Sequence, residues 1–288
     1  MTQEPTQALP AGGQPLSDIS GAALDFSSRM SYSDYLGLDK LLAAQNPRTQ
    51  AHDEMLFIVV HQASELWMKL VVHEMKAARE QIRLGEAGHA LKMLSRVRGV
   101  LWQMIQMWDV LSTMTPADYL SFRNALGQSS GFQSYQYRAC EFLMGGKDAR
   151  MLAPHAHRPE LHEPLMALLH EPSIYDEVLR LLARKGFAID ATHLTRDFSQ
   201  PYAANASVRA AWTQIYRNTE QHWQLYELAE KLMDVEDWFQ LWRYRHMAVV
   251  QRIIGGKSGT GGTSGVAYLK QAVGRPMFPE LMEVRTGL

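Results

Sequence analysis

The chain has almost no cysteine. Its one thiol, Cys140, cannot close an intrachain disulfide, so no disulfide framework holds the fold, and a cytoplasmic protein is the expectation. Net charge is also scarce: 29 Lys and Arg against 30 Asp and Glu leave −1. That removes the basic excess by which nucleic acid or an anionic membrane surface is bound. Residues 1–20, MTQEPTQALPAGGQPLSDIS, lack a basic start and an apolar run, so no secretory leader is expected there. No uninterrupted apolar run reaches the length of a bilayer span. Neither nucleic acid nor membrane is therefore an expected partner. No segment alternates with the period of a strand, and no repeat recurs. There is no HExxH and no cysteine pair for a zinc site.

Hydrophobic residues make up 46% of the 288, with 16 Met, 11 His and 7 Trp. Such a chain can bury a large core or line a large apolar pocket. Residues 1–20 are rich in Pro, Gly, Gln and Ser and are expected to be a disordered tail. Order is expected to begin near SYSDYLGLDKLLAAQ, where Tyr35, Leu38, Leu41 and Leu42 recur at helical spacing. Residues 53–84 carry no Gly or Pro and predict a long helix stopped by Gly85, with Leu56, Val60, Trp67 and Val71 on one face. A helix over about 87–112 follows, with Leu91, Leu94, Leu101 and Ile105 in its stripe.

Thr115, Pro116 and Asp118 stand at N-cap, N1 and N3 of a short helix. GQSSG at 127–131 reads as loop, and FQSYQYRACEFLM as helix ending at Gly145-Gly146. Residues 147–172 read as loop with a short helix. Ser173 and Asp176 cap a helix closed by Gly186, and a pair of long helices fills about 205–254. The expected architecture is all-α, one helical domain over 21–288 built on long antiparallel helices.

Three features invite chemistry. The first is GGKSGTGGTSG at 255–265. Gly256-Lys257-Ser258 imitates the end of a P-loop, but Gln251 stands where the leading glycine belongs, and the run follows a helix rather than a strand. A phosphate cradle is rejected. A flexible surface loop and a lid whose Thr260 and Thr263 meet a polar ligand remain open. The second is a pair of histidines in apolar helices. His246 shares a face with Trp242, Val249, Val250 and Ile253, and His61 lies one turn after Phe57 and one turn before Glu65. A satisfied core histidine, a metal ligand and a proximal haem ligand are all compatible with this. His155, His157 and His162 read as a solvated connection rather than a metal site. The third is Tyr119 and Arg123, spaced i, i+4, which suit an anion, with Ser129 and Ser130 close by in sequence.

FIVVHQASELWMKL, SSGFQSYQYR, FQLWRYRHM and GTGGTSG, in that order, resemble the tryptophan 2,3-dioxygenase family from about residue 30 onward. The resemblance implies an all-α enzyme that holds haem b, ferrous in its active form. It implies insertion of both atoms of O2 across the indole C2–C3 bond of L-tryptophan, giving N-formyl-L-kynurenine, the first step of the kynurenine route. It also implies a homotetramer. Carried over by motif, His246 resembles the proximal iron ligand, and His61 the distal histidine that accepts from the indole N–H. Phe57 resembles a wall of the indole pocket. Arg123, assisted by Tyr119, resembles the partner of the substrate carboxylate, and Thr260 the group that meets its ammonium and carboxylate. Ser130 resembles the serine near the haem edge. Tyr32 and Tyr35 resemble tyrosines that reach a neighbouring subunit's pocket. The rival reading is a non-catalytic haem carrier or sensor.

Overall fold

A computed structural model describes Ala22 and residues 25–288; the tail expected over residues 1–20 lies outside them. Helices α1 to α13 account for its regular structure, joined by three short 3-10 turns, and no strand occurs among the described residues. The chain is all-α. It divides into two compact units, Met1–Asn46 and Pro47–Leu288.

In the first unit, the helix expected around Tyr35 is two short ones, α1 (Tyr32–Leu36) and α2 (Leu38–Leu41). Gly37, at φ +60, turns the chain between them, a conformation that glycine alone adopts without strain. Ser31 and Asp34 form a capping box at the start of α1. Tyr32 and Tyr35 are both exposed.

The second unit is built on three long helices: α3 (Asp53–Leu84), α4 (Ala87–Leu111) and α11 (Trp223–Ile254). Each carries an inward seam with alternating steps of four and three residues. On α4 it runs Ala90, Leu94, Val97, Leu101, Met104, Trp108, Leu111, all buried. On α11 it runs Leu225, Leu228, Leu232, Val235, Phe239, Trp242, His246, Val249, Ile253, and on α3 Phe57, His61, Ser64, Met68, Val71, Met75, Ala78, Ile82. A mean period of 3.5 keeps one narrow stripe facing its neighbour along the whole helix. The stripe expected on α3 is therefore partly wrong. Val60 and Val71 are buried, but Trp67 is 37% exposed, because His61 and Ser64 hold seam positions that a search for apolar residues passes over.

Gly85, at φ +91, ends α3 and turns the chain directly into α4, so these two helices are antiparallel. α4 and α11 instead run the same way. Arg98 lies over Trp238, Asp109 pairs with Arg245, and Arg252 donates to the carbonyl of Ser112. By length and averaged hydropathy α3 could cross a membrane, although its apolar residues are interrupted by His61, Gln62, Glu65 and Lys69. In the fold it packs on α4 and buries Met68, Val71, Met75, Ala78 and Ile82.

Between these helices lie α5 (Pro116–Phe122), α6 (Tyr135–Met144), α7 (Pro159–His170), α8 (Ile174–Arg184), α9 (Ala191–Leu194) and α10 (Ala206–Arg217). The capping boxes expected at Thr115 and Ser173 are both present. α6 begins at Tyr135, later than expected, because Ser134 caps it and Gly131–Gln133 form a 3-10 turn. Residues 147–172 are more helical than their prolines suggest: Pro159 takes the first turn of α7, where no N–H is needed. His155 is buried, not solvated. Of the expected pair over 205–254 only α11 is long. α12 (Val266–Val273) packs on α11, and α13 (Pro279–Thr286) on α10.

Candidate active site

The seams of α3, α4 and α11 converge on a cavity of about 580 Å³ within the second unit, a size usual for small-molecule sites. Its wall takes Phe57, His61, Ser64 and Met68 from α3, Trp108 and Leu111 from α4, and Trp242, His246, Val249 and Ile253 from α11. Tyr119 of α5, Ser129 and Ser130 of the following loop, and Gly259, Thr260 and Thr263 of the glycine loop close it. The lining is mostly apolar, with the polar atoms few and convergent.

Seam positions place the two histidines. His61 Nδ1 lies 2.7 Å from the carbonyl oxygen of Phe57, one turn earlier. A carbonyl only accepts, so Nδ1 carries the proton and Nε2 is left as an acceptor. Burial lowers the imidazole's pKa, against a smaller opposing effect of the Phe57 hydrogen bond, which keeps the ring neutral. The Phe57 ring centroid is 4.1 Å from that of His61 and 5.6 Å from that of Phe122, an aromatic wall beside the acceptor nitrogen.

His246 has its pKa lowered to about 4, first by burial and then by the proximity of His61. Its ring stacks on Trp108 and packs against Trp242. Among the described residues no protein hydrogen bond reaches either of its nitrogens, and beside it Nε1 of Trp108 and of Trp242 are buried without a partner. A neutral imidazole with a free lone pair in an apolar wall is what a single axial ligand requires. No group of three or more His, Cys, Asp or Glu that would chelate a bare ion occurs among the described residues. The donor set therefore fits a macrocycle that brings its own four nitrogens.

Tyr119 is buried and its pKa is raised by burial, opposed by the Arg123 guanidinium beside it. Arg123 stands outside the cavity lining. Its Nη2 donates 2.6 Å to the carbonyl of Ser258 in the glycine loop. Thr260 Oγ1 donates to the carbonyl of Ser129, and Ser130 caps the 3-10 turn after it by accepting from Phe132 N. The structure thus brings Phe57, His61, Tyr119, Ser130, Thr260 and His246 to one cavity, with Arg123 at its loop. Tyr32 and Tyr35 belong to the other unit.

Several lining groups escape the sequence reading. Arg138 and Arg243, each with a side chain only 4% exposed, grip the two oxygens of Glu141 at 2.6 and 2.7 Å. Arg243 also donates to Tyr137 Oη and the Ala272 carbonyl, and Arg138 to Tyr268 Oη. This network ties α6, α11 and α12 together behind the cavity. The i, i+3 pair Arg138–Glu141 is visible in sequence, but Arg243 is about a hundred positions away and nothing local announces it. Glu65 lines the cavity too, its pKa raised by burial against a hydrogen bond from Ser134. Trp108 looks in sequence like any core tryptophan.

Comparison with known proteins adds to this geometry. A family model described as tryptophan 2,3-dioxygenase matches residues 17–288. The chain is similar to the tryptophan 2,3-dioxygenase of Cupriavidus necator, 55% identical over 268 residues, covering 93% of this chain and 91% of that one. It is 56% identical over 267 residues to that of Ralstonia pickettii, covering 93% and 96%. It is 54% identical over 264 residues to that of Shewanella woodyi, covering 92% of each.

Proposed function

The chain belongs to the tryptophan 2,3-dioxygenase family, and from that premise we propose how its residues divide the work. It is a haem-dependent enzyme of tryptophan degradation that opens the indole C2–C3 bond with O2. His246 would hold the haem, which we take to be haem b in the ferrous state, and the haem would supply the iron for oxygen chemistry.

The protein's own part is placement. His61 Nε2 accepts the indole N–H and so fixes the ring's rotation in its plane. An indole N–H is far too weak an acid for a neutral imidazole to remove, so His61 orients the ring and leaves the proton where it is. Phe57 covers one edge of the ring. The Arg123 fork matches a carboxylate with two parallel hydrogen bonds, and the Tyr119 hydroxyl stands beside it. Ser130 sits at the same rim. The glycine loop, with Thr260 at its tip, covers the opening and excludes water. Reaction then rests on orientation within a dry pocket rather than on a strong base.

The observation that carries this reading is the unpartnered, neutral imidazole of His246 in the same apolar cavity as the acceptor nitrogen of His61. We further propose a homotetramer in the cytoplasm, in which Tyr32 and Tyr35 reach a neighbouring subunit's pocket. Their exposure, 75% and 77%, supports it, since aromatic side chains are enriched at protein interfaces.

The test is an absorption spectrum of reduced, haem-supplied protein before and after L-tryptophan is added in air. A Soret band that shifts with tryptophan, followed by growth of the N-formylkynurenine absorbance, is expected. A Soret band without product would leave a haem carrier or sensor. No Soret band would return both histidines to the core.

A further inference from the structure

Glycines in the loop after α11 are expected to permit movement, but two of them do something more specific. At Gly265, with φ +61, an added Cβ would lie 2.5 Å from the carbonyl oxygen of Lys257. At Gly261 it would lie 2.6 Å from Ser130 Cβ and 3.0 Å from Ser130 Oγ. A Cβ is fixed to its backbone, so Gly261 and Ser130 could not both carry one without main-chain displacement. By contrast, a Cβ at Gly256 would meet nothing within 4 Å.

The contact falls one residue from a functional group on each side. Next to Gly261, Thr260 Oγ1 donates to the carbonyl of Ser129, which is next to Ser130. A carbonyl can only accept, so the hydroxyl proton of Thr260 is committed. What remains facing the cavity is acceptor capacity. A hydroxyl in that state meets an ammonium and cannot donate to a carboxylate. Thr260 is thereby a reader of the substrate's ammonium alone, leaving the carboxylate to Arg123.

We propose that Gly261 is a positioning residue: its bare Cα against Ser130 docks the loop so that Thr260 is locked as an acceptor for the amino group of the substrate. This rests on the tryptophan dioxygenase reading and deepens it.

The experiment uses haem-loaded protein and two ligands, L-tryptophan and indole-3-propionate, which lacks the ammonium, each titrated by the Soret shift. Gly261→Ala is expected to raise the tryptophan dissociation constant about tenfold, the scale of one hydrogen bond to a charged group. It should leave the indole-3-propionate constant within about twofold and the Soret band of the free protein unchanged. Thr260→Val should cost as much, and Gly261→Ala added to Thr260→Val should cost nothing further, because the glycine acts through the hydroxyl. Gly256→Ala should behave as wild type. Wild-type tryptophan affinity in Gly261→Ala, equal weakening of both ligands, or additive costs in the double variant would each overturn the proposal. If the wild-type protein itself takes up no haem, the functional reading falls, and this inference with it.

Discussion

His246 and Trp108 stack face to face, with ring centroids 4.5 Å apart and planes 10° from parallel. Each occupies a seam position of its helix, and each faces the same cavity. Trp108 also meets His61 edge-on at 6.3 Å, so one indole contacts both imidazoles of the site. The packing that joins α4 to α11 is therefore also what sets the angle of the His246 ring.

That relationship separates two substitutions. Trp108→Ala removes the stacked ring and leaves a void, at a cost of about 3–5 kcal/mol, and frees His246 to rotate. Reduced thermal stability and weaker haem uptake in a Soret titration are expected together. Trp108→Phe keeps an aromatic face and deletes a buried Nε1–H that has no partner, so its cost should stay below about 1.5 kcal/mol with haem uptake retained. Equal loss of haem in both variants would mean that the ring's face is not what positions His246.

His61 is tested by its two nitrogens. Replacing it with Ala removes the proposed indole acceptor and leaves His246, the proposed haem ligand, in place. Turnover is expected to fall by about 10²-fold while haem spectrum and tryptophan binding survive, the scale of lost orientation rather than of a lost obligatory step. A protein that binds both haem and tryptophan yet shows no product above background would make His61 an essential base and refute the orienting role.

Lys147 offers a pH signature away from the site. It is fully buried, and Nζ donates to the carbonyls of Leu168 and Glu171 at the end of α7. Burial is the chief reason that its pKa falls to about 7, with the Asp176 carboxylate opposing. Its pKa when unfolded is near 10.4. Between these values the unfolded chain binds more protons, so folding stability rises with pH from about 7 towards 10. The contribution is at most about 5 kcal/mol. Denaturant titrations at pH 7 and 9 should show the rise, and Lys147→Met should flatten it. An unchanged slope in that variant would place the dependence on another group.

Much of this architecture is local. The absence of Gly and Pro over residues 53–84, the αL turn at Gly85, and the capping boxes at Thr115 and Ser173 each follow from neighbours in sequence, because helix formation and capping depend on residues within one turn. The 3.5-residue seams are equally present in the chain, and their interruptions at His61, Ser64 and His246 mark where core gives way to cavity. Tertiary structure alone decided which seams meet. It set α11 alongside α4 in the same direction, stacked Trp108 on His246, and joined Arg138 and Arg243 on one carboxylate across about a hundred residues. It also turned the glycine loop back until Gly261 touched Ser130. These are long-range relations set by packing, and no window of the sequence contains both partners.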